Sequence, residues 1–201
     1  VAADDASAHK LTTSLAQQLW WILSQLNPES DVLDVEEFLR DHPNGYETQL
    51  ALAQCGALKS YLDGKGKEYF SPIGKSEPPS PSLSNVKFVG CMPVNFSRHN
   101  IEGVQRSPEN GYFLSEKTDG VRHFMIFTGK TVILVDRAMR GKQPIPRGDS
   151  KEDPFGFLMH LIQPGTVLDG EVVMHRKLRR PIFIVFDVLA LNTTTPVLQL
   201  P

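Results

Sequence analysis

The chain has 201 residues, of which 40% are hydrophobic and 22% charged, and its formal net charge is -2. This composition excludes an intrinsically disordered protein and is typical of one or two globular domains with hydrophobic cores. No apolar run approaches the roughly 20 residues that a membrane-spanning helix needs, so we expect no membrane partner. Cys55 and Cys91 are far apart in sequence, which favours a reducing compartment. The chain starts at Val1 and stops after a strand-like run, so we interpret it as a fragment.

Residues 1–73 are predicted to form a small module of helices and strands. Apolar spacing marks five segments in it, which are helices at 12–26, 35–40 and 47–53 and strands at 57–62 and 67–72. Three helices followed by a β-hairpin resemble a winged-helix domain. Residues 1–75 carry 6 Lys and Arg against 11 Asp and Glu, a balance that repels phosphate. We therefore expect this module to bind protein rather than DNA.

Residues 74–85 contain three prolines and four serines, which indicates a linker and a domain boundary. Residues 86–201 then form the second predicted domain. From residue 76 onward the balance is 15 Lys and Arg against 12 Asp and Glu, which suits a domain that handles phosphates.

The densest group of chemical side chains is Lys-x-Asp-Gly-x-Arg at residues 117–122. Lysine is a nucleophile only as the free amine, so the pKa of Lys117 must fall below its usual value of about 10.4. Arg122 and a phosphate-bound metal ion are the cations expected to lower it. Asp119 would orient the amine or a sugar. An alternative left open by these residues alone is a polar hairpin turn, since Asp-Gly is a common turn pair.

The second domain is predicted to be built mainly from strands. Alternating or continuous apolar residues mark strands at 121–128, 131–135, 166–174 and 181–191, with a helix at 154–162. A hairpin of the first two strands would bring Arg137 to the edge that carries Lys117, where it could hold a phosphate or ribose. The alternative is a surface arginine. Asp169 and Glu171 interrupt an apolar strand, which indicates a paired or metal-bound site, or else a structural salt bridge.

Four motifs occur in the order found in the covalent nucleotidyltransferases: residues 117–122, 136–137, 168–172 and 184–188. That superfamily joins mRNA-capping guanylyltransferases with DNA and RNA ligases, and the resemblance covers roughly residues 88–191. A threonine after the lysine, Thr118, and the approach at 93–101 resemble the capping branch. The resemblance implies an α+β fold, in which the winged-helix-like module precedes a partial nucleotidyltransferase domain of antiparallel sheets with flanking helices.

The resemblance also implies a mechanism. Lys117 would attack the α-phosphate of GTP, expel pyrophosphate and hold GMP as a phosphoramidate for transfer to the 5′-diphosphate end of RNA. Mg²⁺ or Mn²⁺ would serve as the cofactor. The other implied roles are Arg122 and Arg137 on the ribose and α-phosphate, Glu171 on the sugar or metal ion, Phe186 stacked on guanine, Thr118 at the base edge, and Asp119 as organiser of the site.

The family's later motifs and its carboxy-terminal OB-fold would follow residue 191, so we expect this fragment itself to be inactive. Two alternatives stay open at this point. One is an ATP-dependent DNA or RNA ligase, and the other is a non-catalytic scaffold that acts through the winged-helix-like module. The capping interpretation implies the nucleus, or the cytoplasm for a viral or parasite enzyme. It also implies partners such as the RNA polymerase II tail or other capping factors.

Overall fold

The structure is a computed structural model, and it describes residues 14–15, 18–19, 39–41, 45–64, 68–75, 87–105, 117–145, 155–175, 177–178 and 180–197. The chain divides into two compact units, Val1–Asp34 and Val35–Pro201. In the first unit the four described residues are helical, as predicted for the segment 12–26, and the rest of that helix lies outside the described residues. No helix within the described ranges is long and apolar enough to cross a membrane.

The second unit is organised on a six-stranded antiparallel sheet with strand order β1-β4-β3-β2-β5-β6. The strands are β1 (Leu39–Asp41), β2 (Val121–Phe127), β3 (Val132–Asp136), β4 (Gly141–Pro144), β5 (Val167–His175) and β6 (Arg180–Ala190). Two α-helices, α1 (Tyr46–Leu62) and α2 (Arg98–Gln105), and a 3₁₀ helix at Gly156–His160 complete the described elements. The predicted strands at 121–128, 131–135, 166–174 and 181–191 are therefore confirmed.

The central strands are apolar throughout rather than alternating, which is typical of a sheet that is covered on both faces. One face, here called the helix face, packs against α1 through a core that includes Phe124, Ile133 and Leu58. The other face packs against the segment around the 3₁₀ helix through Phe127, Leu134 and other residues. Each fully buried Leu or Phe stabilises the fold by roughly 1.5–3 kcal/mol relative to an exposed one.

Helix α1 corrects the prediction for residues 47–72. It runs from Tyr46 to Leu62 and includes the segment 57–62 that was predicted as a strand. Ala51, Cys55 and Leu58 recur at helical spacing and are fully buried, so packing on the sheet carries the helix through Gly56. Residues 68–75 contain no strand, so the predicted hairpin is absent from the described part of this region.

Strand β1 corrects the helix predicted at 35–40, of which the structure describes Leu39 and Arg40. These residues pair with Pro144 and Gln143 of β4, so sheet pairing overrides the local helical spacing. The winged-helix order is therefore not confirmed. Both β1 and α1 belong to the unit Val35–Pro201, whereas the predicted boundary was at 74–85; residues 76–85 lie outside the described ranges.

A buried polar cluster around Gln54 fixes α1 to two loops. The Gln54 side-chain amide donates to the Tyr69 hydroxyl and to the Gly165 carbonyl, the latter at 3.0 Å, and it accepts from Ser71 Oγ at 2.6 Å. Gln54 is fully buried, and a buried amide is tolerated only when its hydrogen bonds are satisfied. The cluster therefore specifies the position of α1 against the sheet.

Burial of Cys55 predicts that the folded protein loses stability at alkaline pH. Burial raises the pKa of the Cys55 thiol from 9.0 to about 12, so above pH 9.0 the unfolded chain loses a proton that the folded chain keeps. This contribution to stability is complete below pH 9.0 and is lost as the pH rises to about 12, by up to about 4 kcal/mol. Urea unfolding at increasing pH should show a flatter alkaline decline for Cys55→Ala.

Cys91 supplies the control for this measurement, because its thiol is free and exposed. The Cys91→Ala variant should keep the wild-type decline. If Cys55→Ala and the wild-type protein lose stability equally between pH 9.0 and pH 11, Cys55 is not the group responsible. Tyr69, whose pKa burial also raises to about 12, is then the next group to replace.

Candidate active site

The site lies on the helix face of the sheet, where the start of β2 pairs with the middle of β5. Arg122 of β2 is directly opposite Glu171 of β5, and directly opposed residues share a face of the sheet. Phe124, two residues further along β2, is buried under α1, which places Arg122 at the edge of that covered region. The sequence motifs at 117–122 and 168–172 are therefore neighbours in space.

Arg122 is held by a two-point ion pair with Asp169. Its Nε lies 2.9 Å from Oδ1 and its Nη2 lies 2.5 Å from Oδ2 of that carboxylate. Asp169 is 2% exposed, and its contact raises the pKa of Arg122 further, so the guanidinium stays charged. The rings of Phe88 and Phe186 lie 5.0 and 5.5 Å from the guanidinium carbon, within the range of cation–π attraction.

The segment 88–92 crosses the site and contacts both predicted arginines. Arg122 Nη1 donates to the Cys91 carbonyl at 2.8 Å, and Arg137 Nη2 lies 3.7 Å from the Met92 sulfur. A Cβ on Gly90 would lie 2.9 Å from both Arg122 Nη2 and Asp169 Oδ2, so a larger residue here would displace the side chains of the ion pair. Arg122 and Arg137 therefore contact neighbouring residues of this segment.

Lys117 lies at the surface and contacts a carboxylate. Its Nζ is 3.0 Å from Asp119 Oδ1, and the two side chains are 87% and 98% exposed. The hydrogen bond and charge of Asp119, together with the charge of Glu171, raise the pKa of Lys117. The predicted lowering of this pKa is therefore wrong for the protein alone, because Arg122 is paired with Asp169 and the groups that face the ammonium are acidic.

Thr118 and Gly120 fix the remainder of the motif onto β5. The Thr118 hydroxyl donates to Glu171 Oε2. A Cβ on Gly120 would lie 2.4 Å from the Val172 carbonyl oxygen, closer than any side chain can approach backbone. Glycine at this position lets the segment 117–120 lie directly on β5, which keeps Lys117 next to Glu171. Strand β2 follows directly from Gly120, and residues 106–116, which would form the other side of an Asp-Gly hairpin, lie outside the described ranges.

The contact between Lys117 and Asp119 predicts the titration of the amine. In Asp119→Asn the raising influence of the carboxylate is lost, so the pKa of Lys117 should fall below its wild-type value. NMR titration of ¹³C-methylated lysines measures this, with the Lys117 signal assigned from a Lys117→Arg variant. Asp63→Asn, which removes an exposed carboxylate from Lys59 instead, should leave the Lys117 signal unchanged. Equal titration of Lys117 in all three proteins would contradict this assignment.

The part of the chain that the structure describes contains no group of three or more His, Cys, Asp or Glu side chains arranged to hold a metal ion. Magnesium that is bound mainly by substrate phosphates needs only one or two protein carboxylates. Glu171 supplies one carboxylate beside Lys117. The donor set therefore fits a substrate-bound magnesium ion rather than a metal site made by the protein alone.

The structure brings all seven predicted site residues to one region in three linked groups. These are Lys117 with Asp119, Thr118 with Glu171, and Arg122 with Phe186 and, through the segment 88–92, with Arg137. Their individual roles in binding and catalysis remain predictions. Sequence reasoning gave no separate role to Asp169, Phe88 or the Cys91 carbonyl. The sequence does contain a signal for Asp169. It lies two residues before Glu171, and residues with that spacing in a strand share a face of the sheet.

The chain is similar in sequence to known proteins. Residues 73–200 match the family model described as "mRNA capping enzyme, catalytic domain". The chain belongs to this family. That range contains every predicted site residue and excludes the residues before 73. The family match therefore covers the sheet strands β2 to β6 and the site, but not β1 and α1.

Curated capping enzymes from several organisms are similar to the chain. The "mRNA-capping enzyme subunit alpha" of Neurospora crassa is 33% identical over 128 residues, covering 59% of this chain and 31% of that protein. The Saccharomyces cerevisiae protein of the same name is 31% identical over 120 residues, covering 52% and 25%. The "mRNA-capping enzyme" of Danio rerio is 29% identical over 104 residues, covering 51% and 16%. The alignments thus span about a third or less of these relatives.

Proposed function

We propose that the protein carrying this chain is an mRNA guanylyltransferase. It transfers GMP from GTP, through a lysyl-GMP intermediate on Lys117, to the 5′-diphosphate end of RNA. The observation that carries the proposal is the placement of the Lys117 motif directly on β5 beside Glu171, within a chain of the capping enzyme family.

Lys117 is the nucleophile in this proposal because it is an exposed amine at the edge of the site. Its ammonium must lose a proton before attack, and the carboxylates beside it oppose that loss. Mg²⁺ held by the triphosphate and Glu171 would supply positive charge that offsets the carboxylates and favours loss of the ammonium proton to solvent. Lys117 Nζ then attacks the α-phosphorus, the bond to the β-phosphate oxygen breaks, and pyrophosphate leaves.

The two arginines are assigned to different tasks. Three nitrogens of Arg122 donate to Asp169 and to the Cys91 carbonyl, so this side chain is fixed in the site. Its remaining N–H groups are available to the ribose. Arg137 is exposed, and its contact with the Met92 sulfur is weak, which leaves it available to the α-phosphate. Phe186 is 54% exposed beside Arg122 and offers a ring face to the guanine.

Magnesium would be held by the substrate phosphates and by Glu171, and it would neutralise charge on the phosphates during transfer. Thr118 donates to the same carboxylate and so orients it. We also propose that the protein acts in the nucleus and with the RNA polymerase II tail or other capping factors, in keeping with the reaction assigned to it.

Incubation of the full-length protein with α-labelled GTP or α-labelled ATP tests the proposal. GTP should give an acid-labile covalent adduct, and ATP should give none above background. Predominant labelling by ATP would overturn the guanylyltransferase assignment and favour a ligase. Labelling by neither nucleotide would favour the non-catalytic scaffold.

A further inference from the structure

The hairpin that joins β5 to β6 extends past the rest of the sheet at the end where Lys117 lies. Strand β2 begins at Val121, which pairs with Val172, but β5 continues to His175 and pairs with β6 there through Arg180. Residues 173–175 and 180–182 therefore form a two-stranded projection beyond the start of β2. At about 3.4 Å per residue, His175 lies about 14 Å along β5 from Glu171.

The projection presents its free face on the same side of the sheet as the candidate site. Glu171, Val173 and His175 alternate along β5 onto the helix face, and Arg180 directly opposes His175. On the other face of the projection, the partly buried Met174 packs against the core around Phe127. A ligand held at His175 and Arg180 would lie next to the segment 117–120, which packs on Val173 and carries Lys117.

The end of the hairpin is strongly basic. Residues 175–180 read His-Arg-Lys-Leu-Arg-Arg, with no acidic residue among them. Lys177 and Arg180 are exposed, and within the described ranges no ion pair engages either side chain. The Leu178 amide donates to His175 Nδ1 at 3.1 Å, which ties the turn to the end of β5. This positive charge is suited to binding a polyanion.

We propose that the basic hairpin end, through His175, Lys177 and Arg180, binds the phosphates of the acceptor RNA a few nucleotides from its 5′ end. This inference rests on the proposed guanylyltransferase function and names a surface that the acceptor strand would follow to the lysine. RNA is favoured over an acidic protein, because the hairpin end shares a face and an end of the sheet with Lys117. The contact is electrostatic, so it should add affinity without selecting a base sequence.

The test compares charge reversal at the two ends of the sheet in the full-length protein. The tip variant is Lys177→Glu with Arg180→Glu, and its control is Lys130→Glu, an exposed turn lysine at the opposite end of β2. Two substrates are used, a 5′-diphosphate dinucleotide and a 5′-diphosphate RNA of about ten nucleotides, the latter long enough to cross the hairpin end. Adduct formation with GTP is measured separately from transfer to RNA.

The tip variant should form the GMP adduct and cap the dinucleotide as the wild-type protein does. Its KM for the longer RNA should rise about tenfold or more, and the slope of log affinity against log salt should weaken by about 0.7 per lost phosphate contact. Lys130→Glu should change neither quantity. An unchanged KM for the longer RNA, or an equal loss on both substrates, would overturn the inference while leaving the proposed function intact. Failure of the wild-type protein to form any adduct would instead overturn the proposed function.

Discussion

Replacement of Lys117 by methionine should abolish the covalent GMP adduct in the full-length protein. Methionine has no nucleophilic nitrogen, and loss of a covalent nucleophile typically lowers turnover by roughly a thousandfold or more. Labelling with α-labelled GTP, followed by denaturing electrophoresis, should show no band at the position of the protein. Stability should remain within about 0.5 kcal/mol of wild type, because the Lys117 side chain is 87% exposed.

Lys130→Met is the matched control, since Lys130 is also an exposed lysine, 79% exposed, but lies in the turn at the far end of β2. It should keep the wild-type amount of adduct. If Lys117→Met retains the adduct, a different residue is the nucleophile, and the role assigned to the motif at 117–122 is wrong.

Replacement of Asp169 by asparagine should destabilise the fold by about 3 kcal/mol. Asp169 is almost completely buried, and removal of its charge leaves the Arg122 guanidinium without its counterion, which typically costs about 3–5 kcal/mol for a buried pair. The lower end applies because the Arg122 side chain remains 17% exposed. Thermal unfolding should shift down by roughly 6–12 °C for a unit of this size.

The control is Asp187→Asn, which lies opposite Asp169 in the β5–β6 register but is exposed. It should change stability by less than about 0.5 kcal/mol. A double-mutant cycle of Asp169→Asn with Arg122→Gln should show that the second change costs much less once the first is present. Additive losses would mean that the two side chains act independently, contrary to their contacts.

The strands between residues 121 and 191 could be predicted from the sequence, because local patterns define them. The apolar runs at 131–135 and 181–191 have few polar interruptions and are rich in β-branched residues, which favours strands over buried helices. The resemblance of the motifs to those of the covalent nucleotidyltransferases then implied that Lys117, Arg122 and Glu171 share one site. Pairing of β2 with β5 does bring these segments together.

Other features depended on contacts that are distant in sequence. Residues 57–62 have the composition of a strand, but Leu58 completes the buried face of α1, so packing decided the structure. The pKa of Lys117 depends on both kinds of contact. Asp119, two residues away in the motif, raises it most, and Glu171 of β5 raises it further from a position 54 residues along the chain.

The most direct test of the central claim is to locate the nucleotide on the protein. The full-length protein is incubated with equal amounts of GTP and ATP, digested under alkaline conditions that preserve a phosphoramidate, and analysed by tandem mass spectrometry. We predict GMP attached to Lys117 in the peptide that contains Thr118 and Asp119. GMP on another residue, or AMP on Lys117, would contradict the proposed reaction.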